Sequence, residues 1–357
     1  MRQQTVLKSF DERAPARDRV RPFARARLAT HKLDQAGPAR RASLPSLSCV
    51  IPCHNEAQNL ALLLPLLSEV LDTCTRAWEI ILVDDGSTDD TIKVFREWTK
   101  RPGFRGIQLS RNFGKEAALT AGLEAAAGEA VVMMDADLQH PPALIQEFVA
   151  HWQDGADVAY ALRENRDDES LFKRLGARGF FALVNAGGRF EVPAGAGDFR
   201  LMDRQVVDAI LALPERNRFM KGLYAWVGFQ AIAVPYVPAA RVNGSSTFSA
   251  AHLLRLSISG LTAFTDWPLR VVSAMGVVMA MAAFLYGGYL TASYLLYGHD
   301  VSGWTTIVVS LMLFVGIQLV SLGIVGEYVG RIFEEVKARP LFVIRSQAGR
   351  GLKVPHG

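Results

Sequence analysis

The stretch VVMMDADLQHPP, residues 131–142, joins an apolar run to three oxygen-bearing side chains, Asp135, Asp137 and Gln139, and then to two prolines. In an extended segment alternate side chains point the same way, so all three are expected on one side. Neighbouring members would lie roughly 6–7 Å apart at Cα, close enough for two carboxylates to converge on one cation. Pro141 and Pro142 cannot continue a ladder and mark the strand end. A strand that ends in carboxylates is placed to hold something.

Upstream the pattern alternates. LSCVIPC (47–53), WEIILVDDG (78–86), GFRGIQLS (103–110) and EAVVMMDAD (129–137) are predicted strands. EAQNLALLLPLLSEVLDTC (56–74), DDTIKVFREWTK (89–100) and KEAALTAGLEAAAG (115–128) are predicted helices between them. Alternating strands and helices imply an α/β fold, a mostly parallel, Rossmann-like sheet with helices on both faces. Ligands bind such sheets beyond the carboxyl ends of the strands. The polar clusters PCHNE, DDGSTDD, SRNFGK and DADLQH follow the four strands in turn, which converges on one site. DVAYALR (157–163) and FQAIAVPYV (229–237) are further predicted strands.

Two long segments, Val271–Gly298 and Val301–Gly326, contain no charged residue and exceed the length needed to span a bilayer. The predicted spans are 269–298 and 301–327. Between them GHDVSG has no Lys or Arg, while Arg270 precedes the pair and Arg331, Lys337, Arg339 and Arg345 follow it. The positive-inside rule then puts both chain ends in the cytoplasm and the hairpin tip outside. The apolar-rich segment at 249–268 is predicted to be a helix lying in the membrane interface, with a core helix as the competing reading; the catalytic domain is expected to occupy 47–248, and 328–357 to be a cytoplasmic tail.

Charge is uneven. Residues 1–46 carry eleven Lys and Arg against four Asp and Glu, net +7, so with +4 for the whole chain the remainder holds −3. A basic leader on an acidic body argues against a nucleic-acid partner and for a flexible segment, either near an anionic surface or simply disordered. Cys49, Cys53 and Cys74 fit no metal or redox spacing and are expected to be buried thiols in a reducing compartment. The arginine-bearing N-terminus has no apolar h-region of the kind a cleavable signal peptide needs.

Several familiar motifs are excluded. DDGSTDDT is not a calcium loop, because Asp90 stands where the glycine is required if Asp85 is the first ligand. Instead Asp84 and Asp85 end a strand, Gly86 turns, and Ser87 or Thr88 is expected to cap the next helix. SRNFGKE is not a P-loop, since Leu109 and Glu116 occupy positions needing Gly and Ser or Thr, although Arg111 and Lys115 can pair with phosphate oxygens. AGAG at 194–197 follows no clear strand–helix unit, so it is no dinucleotide fingerprint. The hard oxygens of DADLQH suit Mg²⁺ or Mn²⁺, with water and a diphosphate completing the shell. Such an ion would stabilise a departing nucleoside diphosphate.

VIPCHNE, ILVDDGSTD, SRNFGKEAAL, MDADLQHPP, GDFRLMDR and ERNRFMKG followed by WVGF resemble the family 2 glycosyltransferases that act on polyprenyl phosphates, bactoprenol glucosyltransferases and dolichol-phosphate mannose synthases among them. The resemblance runs from about Leu47 to Ile344. It implies a GT-A fold, inverting transfer and a divalent metal. It places Pro52, His54, Glu56, Asp84, Asp85, Lys115 and Asp135 around the nucleotide-sugar, with Asp135 near the ribose, and Asp137 and Gln139, with Asp135, on the metal. Arg200 and Arg241 resemble the family's phosphate-contacting arginines. Asp137, Arg200 and Asp198 are the catalytic candidates, Asp198 orienting Arg200 or else serving as base. Two departures stand out: Thr247 where relatives usually carry Lys, and His54 where a bulkier aromatic is common.

The function so implied is transfer of a sugar, glucose in the first reading, from a UDP-linked donor to undecaprenyl phosphate at the bacterial inner membrane, with room for a homo-oligomer. One competing reading is a processive polysaccharide synthase, which needs a Gln-x-x-Arg-Trp motif that this chain lacks. Another is a non-catalytic membrane partner, which would be expected to have lost Asp135, Asp137 and Gln139.

Overall fold

The structure is a computed structural model that describes residues 41–163, 196–216, 218–237, 267–297 and 303–352. Arg241, Thr247 and nearly all of the segment 249–268 lie outside them, as does most of the predicted leader.

The chain opens with β1 (Ser46–Cys53), α1 (Ala57–Cys74), β2 (Ala77–Asp84), α2 (Thr91–Trp98), β3 (Phe104–Leu109), α3 (Lys115–Ala125) and β4 (Ala130–Met133). It continues with α4 (Leu144–Gln153), β5 (Val158–Arg163), β6 (Ala196–Asp203), α5 (Arg204–Ala212), α6 (Met220–Trp226) and β7 (Ala231–Tyr236). The described elements end with α7 (Trp267–Tyr297), α8 (Trp304–Lys337) and β8 (Ile344–Gly349).

One sheet runs in the order β7-β5-β6-β4-β1-β2-β3-β8. β1 pairs in parallel with β2 and β4, and β2 with β3, as the alternating pattern predicts. Each of these strands is buried on both faces. Along β1, β2 and β4, Cys49, Ile51, Ile80, Leu82 and Val132 pack in one core layer. Val50, Ile81, Val83, Val131 and Met133 pack in the other. The period of two thus feeds two cores at once, which is why these strands read as unbroken apolar runs. Helices α1 and α4 supply Leu60, Leu63, Leu67 and Phe148 to the first layer, and α3 and α5 supply Leu119, Leu123, Val206 and Ile210 to the second.

Two strands run against the others. β6 is antiparallel to both β4 and β5. β8 is antiparallel to β3. The predicted C-terminal tail therefore contributes an edge strand. Just beyond it the Leu352 N–H donates to the buried Glu79 carboxylate at 3.0 Å. The same carboxylate accepts from Ser48 Oγ at 2.6 Å and from Ala127 N at 2.8 Å, so a buried charge at the bottom of the sheet is fully bonded.

The cysteines are free and buried, as expected. Burial raises all three thiols, that of Cys74 to about 11. Residues 271–296 and 310–337 are each long and apolar enough to cross a membrane. Helix α8 outruns the predicted span end at 327, because its charged last turns remain helical with Glu327 and Arg331 paired at 3.2 Å across one turn. Near its end Glu335 Oε1 accepts the Arg216 N–H at 2.9 Å, tying the helix to the segment that precedes α6.

Candidate active site

The predicted clusters do meet beyond the carboxyl ends of β1, β2, β3 and β4, and a fifth element joins them. Because β6 runs opposite to β4, with Met133 opposite Arg200, the beginning of β6 reaches the end of β4. That topology brings Asp198 to Asp135, a juxtaposition that chain order conceals.

The centre of the site is Lys115, the first residue of α3. Its Nζ lies 2.7 Å from Asp135 Oδ1 and 2.6 Å from Asp198 Oδ2, and it also donates to Asp135 Oδ2 at 2.9 Å. Desolvation works against the ammonium, yet Asp135 and then Asp198 outweigh it and hold Lys115 above its ordinary range. Burial likewise opposes ionisation of Asp198, but Lys115, Lys221 and Arg200 together hold its carboxyl below the usual range. The hydrogen-bonded partner of Asp198 is Lys115, while Arg200 acts on it through its charge. Arg200 is 4% exposed. Its guanidinium stacks on Tyr224 at 3.5 Å and bonds the Gly197 carbonyl at 2.6 Å, while its Nε is enclosed without a hydrogen-bond partner.

The acidic strand end departs from simple alternation. β4 stops at Met133, and Leu138 takes a left-handed φ of 59°, so Asp135, Asp137 and Gln139 do not share one extended face. The chain turns around Asp137, whose Oδ1 accepts the Gln139 N–H at 3.1 Å. A non-glycine residue in that region is strained and such strain gathers at functional sites. Among the described residues no three His, Cys, Asp or Glu side chains form a metal-holding group by themselves. Asp135 and Asp137 nevertheless offer the hard oxygens that Mg²⁺ or Mn²⁺ takes from a protein when a diphosphate supplies others, so the donor set fits a shared metal.

At the end of β2, Asp84 is fully buried; its Oδ1 accepts the Ser87 N–H at 3.1 Å and its Oδ2 is enclosed without a partner. An acceptor left open in this way suits a ligand N–H or hydroxyl. Asp85 holds a neighbouring loop. Its two oxygens accept the Phe113 N–H at 2.7 Å and the Gly114 N–H at 2.9 Å, fixing the loop that delivers Lys115. Ser87 and Thr88 do not cap α2. Ser87 Oγ accepts from Asn55 N at 2.9 Å and Thr88 N donates to Asn55 Oδ1 at 2.8 Å, while Asp89 Oδ1 takes the Thr91 N–H at 3.0 Å.

Pro52, the last residue but one of β1, is partly buried. His54 is exposed, and its Nδ1 donates to the Asp85 carbonyl at 2.9 Å. Glu56 accepts from Asn59 at 2.6 Å; burial, together with the charges of Asp137 and Asp135, raises its carboxyl. The sequence reading passed over Asn55, Glu116, Tyr224 and His140. Glu116 follows Lys115 and accepts the Met220 N–H, and burial with the nearby Asp198 charge raises it to about 8. His140, buried against Phe199 and Tyr236, is held below its ordinary range by that burial. His140 lies inside the quoted motif MDADLQHPP and Tyr224 in the three-residue gap between ERNRFMKG and WVGF, the only signal that could have marked them.

Residues 48–211 match the model of glycosyl transferase family 2, and residues 267–332 match that of the GtrB C-terminal hairpin. An uncharacterized glycosyltransferase of Synechocystis sp. is 42% identical over 299 residues, 84% of this chain and 94% of that protein. The chain belongs to glycosyl transferase family 2. The bactoprenol glucosyl transferase of Shigella phage SfII is 39% identical over 300 residues, 84% of this chain and 97% of that protein. The prophage bactoprenol glucosyl transferase homolog of Escherichia coli K12 is 37% identical over 300 residues, 84% and 98%. This glycosyltransferase thus combines a GT-A-like mixed sheet with an apolar C-terminal helix pair.

Proposed function

We propose that this glycosyltransferase moves a sugar, glucose in the first instance, from a UDP-linked donor to undecaprenyl phosphate, with inversion, at the cytoplasmic face of a bacterial inner membrane. The observation that carries the proposal is similarity to bactoprenol glucosyl transferases over 84% of the chain, with the hairpin matched as well as the catalytic domain.

The chemistry agrees. A phosphate monoester has a second pKa near ~6 and is largely a dianion at neutral pH, so it is already a nucleophile. It needs little help from a general base, and Asp198, bound to Lys115 at 2.6 Å, is placed for positioning instead. The protein must align the phosphate with C1 of the sugar and neutralise two phosphate groups. Lys115 carries one mobile positive charge to that place, and Arg241 is proposed to add another. Asp84 offers its open oxygen to the nucleoside. Asp135, Asp137 and Gln139 would hold Mg²⁺ or Mn²⁺, which when bound neutralises charge on the diphosphate leaving group. The hairpin brings this site to the bilayer surface, where the acceptor's phosphate lies. The cationic residues Arg331, Lys337, Arg339 and Arg345 after the second span set the catalytic domain and both chain ends on the cytoplasmic side.

The test is nucleoside diphosphate release by the purified full chain with undecaprenyl phosphate and Mg²⁺ or Mn²⁺, across a panel of UDP- and GDP-sugars. Lipid-dependent release with UDP-glucose is expected. Lipid-dependent release only with another donor corrects the sugar, and none with any donor refutes the proposal.

A further inference from the structure

Lys115 is surrounded by more negative charge than one ammonium needs. Both oxygens of Asp135 lie within 2.9 Å of its Nζ, and Asp198 Oδ2 lies at 2.6 Å. Asp135 is also one of only two carboxylates in the metal-binding segment, and Asp137 already accepts a backbone bond from Gln139. A dication placed on Asp135 would therefore share its carboxylate with an ammonium a few ångströms away, in a partly desolvated site where like charges repel strongly.

We propose that Lys115 is an internal counter-cation: it holds Asp135 closed to a divalent metal until the donor's diphosphate draws the ammonium away, so that metal and nucleotide enter the site together. This rests on the functional reading above and adds to it an order of events.

The two anchors of Lys115 are unequal, which makes the exchange feasible. The Asp198 side chain is 13% exposed and its second oxygen is enclosed. Asp135 stands at 27% and the lysine side chain at 43%, so the Asp135 side of the bridge faces solvent and an arriving phosphate. A lysine stem can pivot on Asp198 while its free donors turn to a new anion, as a rigid guanidinium fork could not. Once the ammonium pairs with the diphosphate, both Asp135 oxygens are free for the ion that the same diphosphate ligates. The two ligands are then thermodynamically coupled, each raising the affinity for the other by the same factor.

The experiment is Mn²⁺ titration of the purified full chain, followed by electron paramagnetic resonance of free Mn²⁺, without nucleotide and with UDP. Wild type is expected to bind Mn²⁺ weakly alone and far more tightly with UDP. Lys115→Met should tighten binding without nucleotide by at least about tenfold and shrink the UDP effect by a similar factor. Asp198→Asn keeps the ammonium but leaves Asp135 as its only carboxylate, so it should weaken binding without nucleotide. Lys93→Met, which removes an exposed lysine paired only with Asp90, should change neither. Unchanged nucleotide-free affinity in Lys115→Met overturns the inference while leaving the functional reading intact. If that variant does not fold, unchanged or tighter affinity in Asp198→Asn does the same. Failure of UDP to strengthen Mn²⁺ binding in wild type overturns the functional reading, and the inference with it.

Discussion

Asp85 offers a direct test of how the site is built. Its carboxylate is 4% exposed and accepts from two consecutive backbone amides, at 2.7 Å and 2.9 Å. Those amides belong to Phe113 and Gly114, immediately before Lys115, and Gly114 has a φ of 100° that the two bonds help to fix. Hydrogen bonds to a charged group contribute about 1.5–3 kcal/mol each, and orphaned buried donors cost a comparable amount. Asp85→Ala should therefore destabilise the domain by about 3–5 kcal/mol. At about 2–4 °C per kcal/mol for a domain of this size, the thermal midpoint should fall by about 10 °C. Asp85→Asn should recover little, because its amide NH₂ confronts the second N–H. The assay is thermal unfolding of the detergent-solubilised protein followed by far-ultraviolet circular dichroism. Both variants melting within about 2 °C of wild type would refute this account of the loop.

Three further outcomes follow from other parts of the molecule. Burial and the Asp198 charge raise Glu116 from 4.5 to about 8, so its contribution to stability is complete below the unfolded value and is lost as pH rises through the folded one. Glu116→Gln should thus gain on wild type, by a few degrees in melting temperature, between about pH 5 and about pH 8.5; a constant difference across that window would contradict the shift. A methyl built on Gly122 would overlap Val50 Cγ1, where α3 lies on β1. Gly122→Ala should therefore destabilise by about 1–3 kcal/mol in urea unfolding even though alanine favours helix, and a stabilised variant would show that the two elements separate easily. Deleting residues 344–357 removes β8 from the edge of β3 and the Leu352 bond from buried Glu79, so the urea midpoint should drop by the equivalent of about 2–4 kcal/mol; an unchanged midpoint would make the last strand dispensable.

The parallel half of the sheet was legible because its physics is local. β1, β2, β3 and β4 are bounded by turns and polar clusters, and burial on both faces writes most of their length as apolar residues. β6 was not, since AGDFRLMD opens with small residues and carries Asp198 and Arg200, charges that only the fold accounts for. β8 was hidden for a similar reason: IRSQAG is a mostly exposed edge whose partner strand begins at Phe104, and no periodicity announces such a pairing. Within the site, Asp84, Asp135 and Asp137 could be found from residue type and position alone. Asp85 could not be told from Asp84, because which neighbour faces the cavity and which holds the next loop depends on the loop. Ser87 and Thr88 looked like caps until Asn55, more than thirty residues upstream, took them up. The bridge from Lys115 to Asp198 spans 83 residues and depends on the reversed direction of β6.

Whether one site couples a nucleotide-sugar to a polyprenyl phosphate is decided by product formation. Membranes or detergent-solubilised enzyme would be incubated with radiolabelled UDP-glucose, Mg²⁺ and undecaprenyl phosphate, and the organic phase assayed for label, beside Asp137→Asn. A labelled, acid-labile glycolipid is expected that requires the added lipid and falls at least about a hundredfold in Asp137→Asn. Label that enters the lipid phase equally well in Asp137→Asn would contradict that coupling.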